Sequence, residues 1–285
     1  MKIAITGATG ELGQFVIQAL LKKTKASELI ALVRNIEKAT ELKNLGIEVR
    51  HFDYDQPESL APALQGVDKL LLISANEIGR RTPQHQAVIQ ATQHAKVPYI
   101  AYTSVLHADR SPLGLAQEHR DTEALILNSG LSYTFLRNNW YSENYLASVQ
   151  HAIETGILYG SAEDGKISSA AREDYAEAIA VVLTSTGHEQ KTYELAGSEA
   201  FTLTDLAHYL TETSGKKVVY QNIPAAAYTQ ALLQAGLPAG LVDVIVDADV
   251  QTVKGAMYND SKTLEQLIGH APLTIQEQLK AQFGS

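Results

Sequence analysis

The segment "KIAITGATGELGQFVIQALLKK", residues 2–23, constrains this chain more than any other. A short apolar run at 3–5 gives way to Gly7, Gly10 and Gly13, after which Phe15, Val16, Ala19 and Leu20 recur at helical spacing. Strand, glycine turn and helix in that order make a phosphate cradle. The first glycine permits the tight turn, the second lets backbone approach a pyrophosphate, and the third lets the helix pack close to the sheet. The helix N-terminus then faces the anion. The spacing is G-x-x-G-x-x-G rather than the commoner G-x-G-x-x-G, so its meaning rests on what surrounds it.

The surroundings repeat the same alternation. Short β-rich runs at 3–6, 29–33, 49–52, 70–74, 99–103 and 133–136 alternate with five amphipathic helical stretches. "LIALV", "KLLLIS" and "YIAYTS" are apolar on both parities, as strands covered on both faces must be. The expectation is an α/β fold with a Rossmann-like, doubly wound parallel sheet. Gly46 and Gly130 fall where helices should stop, and Pro57 and Pro83 fall near helix starts. Beyond Arg137 the rhythm loosens into "NNWYSENYLASVQHAIETG", a short "ILYG", a helix over about 174–183 and a strand in "KTYELAG". Thr202 with Asp205 and Thr274 with Glu277 have capping-box spacing, so the last ~80 residues read as mostly helical. The expected division is a nucleotide-binding domain over 1–136, with a returning segment near 155–197, and a smaller substrate-binding lobe over the rest of 137–285.

Charge and composition exclude several function classes. Twenty-three basic against 32 acidic residues give a net charge of -9, which repels nucleic acid and anionic membranes. The chain has no cysteine, so disulfides, thiolate metal sites and cysteine nucleophiles are out, and redox chemistry must use a borrowed cofactor. No stretch approaches the roughly 18 apolar residues of a membrane span, and the first strand leaves no room for a targeting segment before it. The cytoplasm is the expected address, with no metal, nucleic acid or membrane as partner.

"TGATGELG" resembles the fingerprint of extended and atypical short-chain dehydrogenases. Together with "LVRN", "YTSVLHADRSPLGLAQEHRDTE", "FLRNNWYSENYLAS" and "SKTLEQLIG", it makes the whole chain resemble the NmrA-like atypical dehydrogenases, most of all their quinone-reducing bacterial members, with dye reductases nearby. The resemblance implies NADPH on a Rossmann domain, reducing a flat, electron-poor acceptor such as a quinone without flavin or metal. It also leaves room for dye reduction and for a non-catalytic, NADP(H)-sensing regulator; homo-oligomerisation stays open. The implied cofactor residues are Gly7, Ala8, Thr9, Gly10, Glu11, Leu12 and Gly13 in the cradle, with Ser74, Ala75, Asn76 and Asn138 further along the nucleotide. Arg34 stands where NAD-specific relatives carry an acidic residue, and a guanidinium suits a 2′-phosphate. Asp53 either touches the adenine or only starts a helix.

The sequence departs from the superfamily at its catalytic pair. The helix after the fifth strand, "LAQEHRDTEALILNSG", has no tyrosine and no lysine where Y-x-x-x-K is the rule, and the match at Tyr258 and Lys262 lies far away in sequence. Thr103 and Ser104 lie at the place of the family's catalytic serine. His119 falls where plant relatives carry a lysine, with Glu123 one turn later and within reach of it. His119 is thus either a solvated helix residue or a proton donor. No catalytic side chain is expected to be essential, with Ser104 and His119 the candidates: hydride addition to a quinone leaves a phenolate of pKa about 10, which water can protonate. In "RNNWYSEN", Asn139, Trp140, Tyr141 and Glu143 are the expected acceptor-binding residues, with Tyr145 beside them; the alternative is a buried turn around a core tryptophan. Arg172 and Asp174 close this site, or Asp174 only caps a helix.

Overall fold

The computed structural model describes residues 1–283. The apolar runs form strands β1 (Ile3–Thr6), β2 (Leu29–Val33), β3 (Glu48–His51), β4 (Lys69–Leu72), β5 (Tyr99–Val105) and β6 (Ser132–Asn138). The helices between them are Glu11–Leu21, Thr40–Asn44, Leu60–Ala63, Arg81–His94 and Ala116–Ser129. After β7 (Ile157–Gly160), strand β8 (Lys191–Leu195) completes a seven-stranded sheet of order β3-β2-β1-β4-β5-β6-β8. Strands β3 to β6 pair in parallel throughout. Every residue of β1, β2 and β5 is buried, which is why their sequences are apolar on both parities. On one face Ala4, Ile30, Leu32, Leu70, Leu72 and Ile100 pack against Val88, Ile89 and Ile126 of the covering helices. Gly46 and Gly130 take positive φ just past helix ends, as a C-terminal cap requires.

The chain crosses from one side of the sheet to the other between β3 and β4, so neighbouring strands β1 and β4 send their connections in opposite directions. In open parallel sheets the crevice at such a switch point, outside the carboxyl ends of the strands, is where ligands bind.

The described residues divide into two compact units. The first comprises Met1–Ala108, Gln117–Asn138 and Tyr175–Tyr193; the second comprises Asp109–Ala116, Asn139–Asp174 and the chain from Glu194 on. The returning segment therefore begins at Tyr175, inside the helix Arg172–Thr184, and is shorter than the expected 155–197. The physical reason lies in β7, which pairs with β9 (Val219–Asn222) in a separate two-stranded sheet. Helices dominate the rest of the second unit. Thr202 and Asp205 cap the helix Leu203–Ser214 reciprocally, and Thr274 does the same with Glu277 at Ile275–Phe283.

Candidate active site

The cradle is built from bare backbone. Gly7 turns at φ 60°, and its carbonyl accepts the Gly10 N–H at 2.9 Å. Helix Glu11–Leu21 begins immediately after, and no side chain caps it. First-turn amides have no intrahelical acceptor, so this end attracts an anion. A Cβ on Gly13 would lie 2.2 Å from the Gly7 carbonyl oxygen and 2.9 Å from Ala8 Cα. Helix and turn touch there with no room for a side chain. At Gly10 the same test gives 3.1 Å to the Gly7 oxygen, tight but less severe.

The loop after β4 is built from side chains instead. Thr6 Oγ1 of β1 accepts the Ile73 N–H at 3.0 Å, and Thr103 Oγ1 of β5 accepts the Ser74 N–H at 2.9 Å. Ala75 is held at both polar groups: its N–H donates to His85 Nε2 at 3.0 Å, and its carbonyl accepts from Arg81 Nε at 2.7 Å. Glu118 Oε1 takes the N–H groups of Gly79 and Arg81, each at 3.1 Å. Because His85 Nε2 accepts, its proton sits on Nδ1 and is donated to Thr122 Oγ1 at 2.9 Å, while that hydroxyl donates to the Glu118 carbonyl. Burial, aided by the nearby Arg81 charge, lowers the His85 pKa to about 3. His85 is therefore neutral, as an acceptor must be. Ser74, Ala75 and Asn76 are legible in the sequence, whereas Arg81 and His85 lie one helix and Glu118 two helices further on, with no local signal that points to them.

Arg34 follows β2 with its side chain 71% exposed, and its Nη1 lies 3.5 Å from Glu77 Oε1. Such a pair is weak, and leaves the guanidinium available to a phosphate. Asp53 closes its own turn, accepting from the Asp55 N–H and the Gln56 side chain, each at 3.1 Å. Asn138, the last residue of β6, is buried, and neither its Nδ2 nor its Oδ1 has a hydrogen-bond partner. An unmet buried polar group costs about 1–3 kcal/mol. This amide fits a ligand that offers both a donor and an acceptor.

The catalytic candidates are enclosed. His119 is only 5% exposed and so is not a solvated helix residue. Its Nδ1 lies 2.7 Å from the hydroxyl of Tyr102, and burial together with the Arg81 charge holds its pKa well below the ordinary value. Tyr102 is fully buried, with its phenol pKa pushed up by desolvation. Glu123 does not turn toward His119. Its carboxylate takes a fork from Arg137 (Nε at 2.9 Å, Nη2 at 2.7 Å) and the Ser104 hydroxyl at 2.6 Å. The Ser104 hydroxyl is thus a donor to a carboxylate that also accepts from Arg137. Tyr258 and Lys262 have separate acidic neighbours: the phenol donates to Asp260 at 3.4 Å, and the ammonium lies 3.6 Å from Glu265.

"RNNWYSEN" begins at the end of β6, and past Asn138 it belongs to the second unit, where its polar side chains hold their own segment in place. Asn139 Nδ2 donates to the carbonyls of Ser168 and Met257 at 2.8 and 2.9 Å. Glu143 accepts the Arg172 N–H at 2.9 Å, and the Arg172 guanidinium lies 3.3 Å from its other oxygen and 4.5 Å from the centre of the Tyr141 ring. Asp174 accepts the Leu273 N–H at 3.1 Å, and burial raises its pKa to about 6. Trp140, Tyr141 and Tyr145 are half-buried, with the Tyr145 ring edge-on to Phe201 and its phenol pKa raised by burial. Among the described residues, no group of His, Asp and Glu could hold a metal ion, and no helix is long and apolar enough to cross a membrane.

Known proteins resemble this chain along nearly its whole length. Quinone oxidoreductase 2 of Escherichia coli is 55% identical over 281 residues, 99% of this chain and 98% of that protein. The crystal structure of the E. coli NADPH-dependent quinone oxidoreductase complexed with NADPH superposes with a TM-score of 0.97, covering 99% and 100% of the two chains at 55% identity. Triphenylmethane reductase of Citrobacter sp. superposes with a TM-score of 0.96 at 40% identity, covering 99% of both chains. The model of the NmrA-like family matches residues 1–278, and the chain belongs to that family.

Proposed function

We propose that this chain is an NADPH-dependent quinone oxidoreductase, acting in the cytoplasm on a small, flat acceptor with neither flavin nor metal. The observation that carries the reading is the 55% identity, over 99% of the chain, to E. coli quinone oxidoreductase 2. The local geometry supports it. The Gly7–Gly13 turn and the uncapped helix behind it would hold the pyrophosphate, and Arg34 would hold the 2′-phosphate. Ser74, Ala75 and Asn76 would run along the ribose and pyrophosphate, with Ser74 held by Thr103 and Ala75 by His85 and Arg81. The amide of Asn138 would meet the nicotinamide carboxamide, whose donor and acceptor complement its two unmet groups.

NADPH, when bound, supplies the hydride. The chain orients the reactants and provides no essential proton: the Ser104 hydroxyl is committed to Glu123, His119 Nδ1 pairs with Tyr102, and the phenolate left by hydride addition is weakly basic enough for water to protonate. Trp140 and Tyr141 offer aromatic faces to a planar acceptor, while Asn139 and Glu143 hold that segment in shape. A second reading, reduction of triphenylmethane dyes, is favoured by the 40% identity to triphenylmethane reductase.

Following NADPH absorbance with 1,4-benzoquinone, a naphthoquinone and a triphenylmethane dye tests both. Turnover with a quinone is expected. Turnover with the dye alone moves the assignment to the second reading, and none with any acceptor rejects an oxidoreductase and leaves a nucleotide sensor.

A further inference from the structure

Glu77 sits among positive charges at the place where the adenosine end of a dinucleotide would lie. It follows β4, yet its Oε1 lies 3.5 Å from Nη1 of Arg34, which follows β2. Its other oxygen accepts from Arg80 Nη1 at 2.9 Å and from Gln84 Nε2 at 3.1 Å. Arg80 in turn reaches Asp55, after β3, at 2.7 Å. Three loops at one edge of the sheet thus meet through two guanidinium groups and two carboxylates whose formal charges cancel.

A nucleotide with a 2′-phosphate brings about two negative charges to Arg34. Glu77 already shares that cation, and its own charge opposes the phosphate. The alternative role, preparing Arg34 for the phosphate, would require the ion pair to hold the guanidinium still. A side chain 71% exposed, with its partner at 3.5 Å, is not held. We propose that Glu77 is a specificity-determining residue that moderates the preference for NADPH over NADH by competing with the 2′-phosphate for Arg34. This rests on the assignment of Arg34 to the 2′-phosphate.

The test is a charge series at one position: wild type, Glu77→Gln and Glu77→Lys, titrated calorimetrically with 2′,5′-ADP and with 5′-AMP, and with NADP+ and NAD+. Glutamine keeps the acceptor for Arg80 and Gln84 while removing the charge. At separations of about 6 Å in high dielectric and ordinary salt, one charge facing a phosphate changes affinity by about 3- to 10-fold. Glu77→Gln should therefore tighten 2′,5′-ADP and NADP+ by about that factor, Glu77→Lys should tighten them further, and 5′-AMP and NAD+ should stay within about twofold. The gain should shrink as salt is raised. Equal tightening of phosphorylated and unphosphorylated ligands, or no change, or weaker binding of NADP+ in Glu77→Gln overturns the proposal. Failure of wild type to bind any of the four overturns the nucleotide assignment itself, and thermal unfolding of each variant shows whether it is folded.

Discussion

The loops after β1 and β4 lie at the same edge of the sheet and are shaped by opposite means. The first is shaped by what its residues lack: Gly7 turns at positive φ, and Gly13 leaves room for the Gly7 carbonyl. The second is shaped by what other residues provide, since His85 and Arg81 take both polar groups of Ala75 and Glu118 takes two more amides. One loop is broken by adding an atom and the other by deleting one. The difference extends to chemistry. A glycine cradle has no protonation state, whereas a clamp built on an accepting histidine works only while that histidine is neutral.

The largest effect should come from adding atoms to the first loop. Gly13→Val would place Cβ 2.2 Å from the Gly7 oxygen, so helix and turn must separate. Overpacking of this kind costs about 1–3 kcal/mol or more, and where binding must restore the cradle that energy corresponds to a loss of roughly 5- to 150-fold or more in nucleotide affinity. Thermal unfolding and calorimetric titration with NADP+ measure the two consequences separately. Gly10→Val, with Cβ at 3.1 Å, should keep the fold while blocking pyrophosphate approach. Wild-type affinity in a folded Gly10→Val protein would remove the cradle from the nucleotide site.

The second loop should fail in acid. The unfolded chain protonates His85 at an ordinary pKa of 6.5, while burial delays this to about 3 in the folded state. A depressed histidine pKa gives stability that is fully present above about 6.5 and is lost as pH falls toward 3. Between pH 7 and 4 that loss is about 3 kcal/mol. Glutamine at this position keeps an acceptor for the Ala75 N–H but takes up no proton. Denaturant unfolding across this range should therefore show a shallower pH dependence for His85→Gln than for wild type, and parallel curves would mean that His85 does not control the loop.

The same contrast explains what could be read in advance. The cradle, the parallel strands and the capping boxes are local, so the spacing of Gly7, Gly10 and Gly13, the two-sided apolarity of β1, β2 and β5, and Thr202 with Asp205 are visible in sequence. The clamp on Ala75 is visible only after Arg81–His94 and Ala116–Ser129 are packed beside β4 and β5, because nothing in the residues around Ala75 asks for a histidine ten positions away. The partners of the polar segment after β6 are hidden for a related reason. Asn139 and Glu143 have the composition of a binding site, and the residues that meet Asn139 Nδ2 and the Glu143 carboxylate, Ser168, Met257 and Arg172, are distant in sequence. Glu123 likewise has helical spacing to His119 and yet faces Arg137 on the neighbouring strand.

Arg34 separates the two loops by ligand. It lies in neither loop and is the residue assigned to hold the 2′-phosphate itself, with Glu77 of the second loop acting on that phosphate only through it, so loss of Arg34 should separate NADPH from NADH most sharply. Arg34→Ala should remove a charge-assisted hydrogen bond worth about 1.5–3 kcal/mol, or roughly 10- to 150-fold in NADPH affinity, and leave NADH nearly unchanged. Equal losses for the two nucleotides would show Arg34 acting through the fold, and no loss for either would return it to the solvated surface.

The smallest effect belongs to the residues at the usual place of catalysis. If the two loops do their work by position, the chemistry should survive the loss of Ser104. Its hydroxyl donates to Glu123 at 2.6 Å, and Glu123 keeps both of its hydrogen bonds from Arg137 when the serine is gone. Ser104→Ala therefore removes one donor from an anion that retains a bidentate partner, and leaves no charge uncompensated. A quinone reduced by hydride leaves a phenolate of pKa about 10, weakly basic enough for water to protonate, so no acid is lost with the hydroxyl. Turnover of 1,4-benzoquinone by Ser104→Ala should stay within about tenfold of wild type, below the 10²-fold or larger benefit that a general acid gives. The same limit should hold for His119→Ala, with a lower melting temperature because the buried Tyr102 hydroxyl loses its 2.7 Å contact with the imidazole. A thousandfold fall in kcat for Ser104→Ala, with NADPH affinity intact, would place proton transfer at the end of β5 and end the account of catalysis by position alone.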